Sequence, residues 1–369
     1  MSANKPPFDG EWVRLNQLCM KGRSALRQKD LIDDGPYAVY GASGIIGSMS
    51  TFQNGARYVA VVKDGAGVGR ANLCSARTSV LGTMQALIPT EMVLPEYLLH
   101  LIRAMRLGDG FSGSTIPHIY FKDYGQRLVR YVSMADQERI VGMLGSIEDQ
   151  IDILHQQNER FDTLVKSRFV EIFGSYSNEF ETTLQDVSEF VTVGIANAAT
   201  HAYVDSGVVM LRNLNVRENQ LEDSDLVYID PEFAAKYKKK RLKAGDILVT
   251  RTGYPGIACV VPKKYEGCQT FTTLIVRLRD DSPVTAEYVS QLINSPIGKE
   301  FVGRFKAGSS QQNFGATALK MMPIGIPPLA LQQEFAAFVA EVDKSRYIVQ
   351  QKIEKLQTLY DSLAQEYFG

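Results

Sequence analysis

The sequence predicts an α+β protein in which two similar globular domains are joined by two long antiparallel coiled-coil helices, with an internal pseudo-two-fold repeat. Three observations predict it. Short segments recur in the same order in both halves, each half ends in a sustained heptad seam, and each carries an apolar strand running into a glycine-containing turn.

The repeat is visible residue by residue. LPEYLLHLI from Leu94 is answered by TAEYVSQLI from Thr285, and GST at Gly113 by GSS at Gly308. DQERI from Asp136 is answered by QQEFA from Gln332, and VEIFG from Val170 by QEYFG from Gln365. Gly308 less Gly113 and Gly369 less Gly174 both give 195, and a constant offset marks a duplicated unit. In the first copy ARYVAVV (Ala56–Val62) runs into KDGAGVGR (Lys63–Arg70). In the second GDILVT (Gly245–Thr250) runs into RTGYPGIACVV (Arg251–Val261). NLNVRENQLEDSDLVYIDPEF has no evident counterpart in the first copy, so similar scaffolds are expected to carry different surfaces.

The seam of the first copy is Ile140, Leu144, Ile147, Ile151, Leu154, Asn158, Phe161 and Val165. That of the second is Phe335, Val339, Val342, Arg346, Val349, Ile353, Leu356, Tyr360, Leu363 and Tyr367. Steps of three and four with polar residues between them describe a coiled coil, and neither segment holds a proline. Ser133–Gln137 opens the first helix, and Pro327 and Pro328 precede the second. Roughly 35 residues would make each about 50 Å long. Such helices need a partner, and antiparallel pairing with each other supplies one. Asn158 and Arg346 are polar seam positions of the kind that fixes register. The expected division is a globular domain over 1–132, a long helix over 133–174, a second domain over 175–326 and a second helix over 327–369.

Composition narrows the function. With 45% hydrophobic and 22% charged residues the chain has a sizeable core, and a net charge of -1 leaves nucleic-acid binding to local patches. Cys19, Cys74, Cys259 and Cys268 form no CxxC pair, which argues against zinc and fits a reducing compartment. Without a leader-like start or a run of ~20 apolar residues, a cytoplasmic location is expected.

Two motifs invite a catalytic reading. DGPY (Asp34–Tyr37) is one residue from the DPPY of amino-methyltransferases, but Gly35 replaces the proline that stiffens that turn. GASGIIG (Gly41–Gly47) has the look of a phosphate loop, but Ile45, Ile46, Gly47 and Ser48 open no helix. No Walker motif and no nucleophile elbow is present, and His100, His118, His155 and His201 are scattered. No catalytic or metal centre is read.

Candidate DNA contacts fall in both copies. Lys236, Lys238, Lys239, Lys240, Arg241 and Lys243 could meet phosphates. Around them Arg212, Asn213, Arg251, Thr252, Tyr254, Ser309, Gln311, Gln312 and Asn313 include groups suited to base edges. In the first copy the candidates are Tyr40, Ser43, Arg57, Lys63, Arg70, Ser114, Thr115 and His118.

GPYAVYGASGIIG, KDGAGVGR, LPEYLLHLI and PIGIPPLALQQEFA (Pro323–Ala336), followed by the heptad helix, resemble the specificity subunit of type I restriction–modification systems over nearly the whole chain. One departure is RLVRYVSMADQERI, which lacks the prolines of the second junction. The resemblance implies two target recognition domains, each reading half of a bipartite DNA site, with the helices as a ruler. A 50 Å rod matches roughly fifteen base pairs at ~3.4 Å each. It also implies two modification subunits that bring S-adenosylmethionine and flip the target adenine, and a restriction subunit using ATP and Mg. No cofactor is expected on this chain itself. The alternatives are a catalytic adenine methyltransferase chain and a scaffold that binds no DNA.

Overall fold

A computed structural model describes residues 8–113, 116–178, 182–196, 199–305 and 313–369. The chain forms two compact units. One runs to Gln157 and takes back Ile348–Gly369, and the other is Asn158–Tyr347.

In the first unit a four-stranded antiparallel sheet has the order Cys19–Lys21, Met84–Pro89, Tyr58–Val62, Ala71–Cys74. The continuous apolar run of the Tyr58–Val62 strand follows from burial on both faces. Val59 and Val61 pack with Leu98, Leu101 and Ile102 of the Pro95–Ala104 helix, while Tyr58, Ala60 and Val62 pack with Val80, Met84 and Ala86. Beside this sheet lies a smaller one. In it Tyr37–Gly41 pairs antiparallel with Gly44–Met49 and parallel with Ser79–Val80. DGPYAVYGASGIIG is therefore largely a β-hairpin.

The second unit repeats the plan, with one more strand in its smaller sheet and an extra hairpin. Its sheet order is Ser188–Val193, Leu274–Leu278, Ile247–Val249, Ala258–Val260, with Ala286–Asn294 as the packing helix. Val208–Leu211 runs parallel to Gln269–Thr270, as Tyr37–Gly41 does to Ser79–Val80. A short antiparallel pair ends each domain, Gly10–Arg14 with Leu128–Val132 and Thr182–Thr183 with Pro323–Ile324. One expectation is corrected. Part of NLNVRENQLEDSDLVYIDPEF does have a counterpart, because Val227–Ile229 pairs with Val208–Leu211 as Gly44–Met49 pairs with Tyr37–Gly41. The remainder includes a small hairpin, Val216–Arg217 with Gln220–Leu221.

Two 40-residue helices, Met134–Phe173 and Leu329–Phe368, follow the domains. At 1.5 Å per residue each is about 60 Å long, somewhat more than the seam alone suggested. In the first unit Ile140, Leu144 and Ile147, early in one helix, share a core with Tyr360, Ala364, Tyr367 and Phe368, late in the other. In the second unit Val165, Phe169 and Phe173 share a core with Phe335 and Val342. Early residues meet late ones in both places, so the helices run antiparallel. Among the seam positions, Ile140, Leu144, Ile147, Val349, Ile353, Phe335 and Val342 are buried. Ile151, Leu154, Asn158, Phe161, Val339, Arg346 and Leu356 are half-buried. Arg346 pairs with Asp162 at 2.7 Å and lies 5.8 Å over the Phe161 ring, and Arg168 pairs with Glu334 at 2.8 Å. The first pair ties the two helices together at a polar seam position, and the second does so beside the buried Phe169 and Phe335.

Candidate nucleic-acid interface

The tip of the central hairpin receives a later segment in the same way in both units. In the first, three glycines with left-handed φ, Gly65, Gly67 and Gly69, turn the chain between Tyr58–Val62 and Ala71–Cys74. Gly69 has a second constraint, since a Cβ there would lie 2.2 Å from the Gly108 nitrogen. A later segment docks on this tip: Asp64 bridges to His118, and Ile119 N–H donates to the Lys63 carbonyl at 3.0 Å. In the second unit Thr252 bridges to Asn313, and Phe314 N–H donates to the Arg251 carbonyl at 2.9 Å. The docked residues, His118 and Asn313, stand at the repeat offset.

The side chains beside this shared docking differ. His118 Nδ1 lies 2.8 Å from Asp64 Oδ1, and Lys63 Nζ lies 3.5 Å from Asp64 Oδ2. Tyr120 stacks on the imidazole at 6.4 Å, and Lys122 lies over the Tyr120 ring. In the second unit the Asn213 amide donates to Thr252 Oγ1 at 2.7 Å and to the Thr252 carbonyl at 3.2 Å. Asn213 Oδ1 and Arg251 Nε are buried and have no hydrogen-bond partner among the described residues, and Tyr254 is 85% exposed. Of these three groups the Tyr254 ring is exposed, while the amide oxygen and the guanidinium nitrogen are buried.

Other candidates are placed differently. Arg57 sits at the opposite end of its strand from Lys63 and pairs with Glu96 at 2.6 Å. Arg70 folds back onto the Gly67 and Ala66 carbonyls of its own loop. Arg212 is held by Asp225 at 2.8 Å. Tyr40 packs against the apolar cluster of Tyr58, Ala60 and Val62 on the larger sheet, and Ser43 is exposed at the turn between Tyr37–Gly41 and Gly44–Met49. Of the basic run, Lys240 Nζ is bound to the Gly194 carbonyl at 2.8 Å, whereas Lys238, Lys239 and Arg241 are exposed. Val193 and Val249 both pair with Leu274, so Gly194 brings Lys240 to the sheet end where Arg251 sits. Ser114, Thr115, Ser309, Gln311 and Gln312 lie outside the described residues.

A cleft of about 510 Å³ opens beside Lys63, lined also by Lys21, Arg23, Ser24, Gln53 and Gln85. Sequence reasoning missed these residues. Buried Asn54 holds the Arg23 backbone from both sides, accepting from its N–H and donating to its carbonyl, each at 3.2 Å. Ser79 Oγ accepts from the Gln53 N–H at 3.0 Å, and the buried Gln53 Oε1 has no partner among the described residues. Lys21 and Arg23 are exposed and make no ion pair among the described residues. Lys21 ends the strand just before Gly22, whose N–H bonds Ala86, as Gly194 N–H bonds Thr273. The cations flanking Gly22 in one unit and bonding Gly194 in the other therefore occupy matching places. The only signal in the sequence would have been their proximity to the strand end.

Catalytic chemistry finds little support. Gly35 of DGPY packs so closely on Met49 that a Cβ would lie 2.4 Å from its carbonyl oxygen. The Tyr37 hydroxyl accepts from Arg77 at 2.7 Å, and its ring meets Phe52 edge-on. Burial pushes the Cys19, Cys74 and Cys259 thiols up to about 12, so none offers a thiolate at neutral pH. Among the described residues no cluster of His, Cys, Asp or Glu is placed to hold a metal, and no helix is long and apolar enough to cross a membrane.

Residues 179–358 match the family model of the type I restriction modification DNA specificity domain. The chain resembles type I specificity subunits. The crystal structure of a type I restriction–modification S subunit from M. genitalium superposes with a TM-score of 0.56 at 12% identity, covering 100% of this chain and 98% of that one. A chain solved in work on complex assembly and conformational transition of the type I R-M system gives 0.55 at 14% identity, with 99% of each covered. At such identities these two matches speak for the fold. The specificity subunit of the type I restriction enzyme EcoEI of Escherichia coli is 29% identical over 105 residues. That stretch is 27% of this chain and 18% of the relative, so the chain aligns with less than a fifth of that protein. The specificity-subunit fold accounts for two similar domains and two long helices in one chain.

Proposed function

We propose that this chain is the sequence-specific DNA-binding specificity subunit of a type I restriction–modification enzyme. Each domain reads one half of a bipartite site, and the paired helices set the spacer. The observation that supports this reading is the duplicated docking at the hairpin tip, which carries Asp64 and His118 in one unit and Thr252 and Asn313 in the other, with Asn213 bonded to Thr252. A docking kept constant while the side chains around it change is what two readers of different base sequences require.

The helices also carry a duplicated exposed apolar surface. Met134 and Leu329, Ile153 and Ile348, and Leu164 and Leu359 are all exposed, and each pair stands at the repeat offset. Matching surfaces recruit matching partners, which supports two copies of one modification subunit. Those subunits would bring S-adenosylmethionine and the chemistry on the flipped adenine, and a restriction subunit with ATP and Mg could join them. The chain itself is read as non-catalytic and without a cofactor of its own. The methyltransferase alternative loses ground because Tyr37 is locked between Arg77 and Phe52.

Genome-wide adenine methylation tests this, in cells holding the chain with its modification partner and in cells lacking it. A split motif with a fixed gap, lost on deletion, is expected. Unchanged methylation with both proteins present would overturn the reading in favour of a scaffold.

A further inference from the structure

Each long helix begins with a buried glutamine at the repeat offset, Gln137 and Gln332, 0% and 1% exposed. Gln137 Nε2 donates to the Met92 carbonyl at 2.9 Å and to the Val132 carbonyl at 3.1 Å. Its Oε1 accepts from the Leu94 N–H at 2.9 Å. Gln332 Nε2 donates to the carbonyls of Pro283 and Pro327 at 2.9 and 2.8 Å, and its Oε1 accepts from the Thr285 N–H at 2.8 Å. Leu94 and Thr285 are the N-caps of the domains' packing helices. Val132 and Pro327 lie just ahead of the long helices. One amide thus ties the long helix to the packing helix and to the junction in both units. A second bond stands beside each: Tyr97 Oη donates to the Arg130 carbonyl at 2.9 Å, and Tyr288 Oη to the Gly325 carbonyl at 3.2 Å.

Apolar packing alone would hold a domain against its helix without fixing its direction, because dispersion contacts survive small slides and rotations. Three directional bonds in a dry site do not. Only an amide side chain supplies both the donors and the acceptor used here. We propose that Gln137 and Gln332 are positioning residues that set the angle at which each recognition domain leaves its helix, and thereby make the complex reject wrong spacers. This rests on the bipartite-reader function above. Adding one base pair moves a half-site by ~3.4 Å along the helix axis and turns it by about 35°, so the joint must be stiffer than that to discriminate.

The test uses the complete complex with its modification subunits on DNA that carries both half-sites, the gap being varied one base pair at a time. The wild type should methylate one gap length. Gln137→Met and Gln332→Met keep the volume and remove the bonds. Each should cut discrimination against the neighbouring gap by roughly tenfold while the half-site bases stay the same. Ser133→Ala is the control for a merely structural effect. The Ser133 side chain caps the same helix through Asp136, at 2.8 Å between side chains and 3.2 Å from its N–H; the bond Ser133 makes to Gln137 runs from the Gln137 backbone N–H to the Ser133 carbonyl, which the substitution keeps. It should lower the melting temperature and leave the gap unchanged. If a glutamine variant does not assemble, Tyr97→Phe, which removes one bond, should relax the gap in the same direction by less. Variants that lose stability but keep the wild-type gap would overturn the proposal while leaving the reader function standing. A wild-type complex with no split-site preference would instead overturn that function.

Discussion

The two hairpin tips share the main-chain docking of a later segment and differ in their side chains. In one, a carboxylate, an imidazole and an ammonium satisfy one another within 3.5 Å. In the other, a threonine and an asparagine pair off, and a buried amide oxygen and guanidinium nitrogen have no partner among the described residues. The bonds that make the fold are therefore main-chain bonds, from Lys63 and Arg251 to the docked segment, and they set no limit on the side chains beside them. That separation lets a duplicated domain keep its shape while its surface diverges.

The largest expected difference between the units lies behind the tips. His100 is buried in the first unit, 2.8 Å from the Tyr360 hydroxyl, and the second unit has Gln291 at the matching turn of its packing helix. Burial first, with help from Arg103, lowers His100 to about 4, below its ordinary 6.5. Because the folded value is the lower one, the unfolded chain takes up the proton first. Stability should therefore fall as pH drops from about 6.5 to about 4, by roughly 3 kcal/mol. Hydrogen exchange should show the first unit loosening over that window. His100→Gln, which imports the second unit's residue, should flatten this part of the dependence. An unaltered slope would show that other groups dominate.

A smaller effect separates the readers. Asn213→Ala should relax one position of the second half-site by about 1–3 kcal/mol and leave the first half-site untouched. Arg23→Ala should do the reverse. Sequencing of methylated sites checks both, and a change in the wrong half would break the assignment of tips to half-sites. The smallest effect belongs to Lys238→Ala with Lys239→Ala. Binding should weaken uniformly across sequences, with the salt slope falling by about 1 per lysine, as titration in increasing salt would measure.

Much of the architecture was legible because duplication writes it twice. The seam from Ile140 and from Phe335, the strand ending at Lys63 and at Arg251, and the offset linking His118 to Asn313 all stand in the sequence. What escaped depends on pairing between distant segments. Lys21, Arg23 and Gln53 meet Lys63 only once Cys19–Lys21 and Tyr58–Val62 flank Met84–Pro89 in one sheet. Arg57 and Arg212 looked as free as Lys63 until folding supplied Glu96 and Asp225. Gln137 stood in plain view inside DQERI, but its role lies in the backbone groups around it, which local sequence does not encode.

The first unit closes with residues from the far end of the chain. Its core includes Tyr360, Tyr367 and Phe368, while Asn158–Tyr347 is one continuous stretch whose main core, among the described residues, is made from within that stretch. On the ribosome the inner unit can therefore finish before the outer one, although the outer one emerges first. Until the last helix is released, Ile140, Leu144 and Ile147 wait uncovered on that side. The nascent chain is most exposed to aggregation in that interval, and an early-bound partner or chaperone would be most useful there.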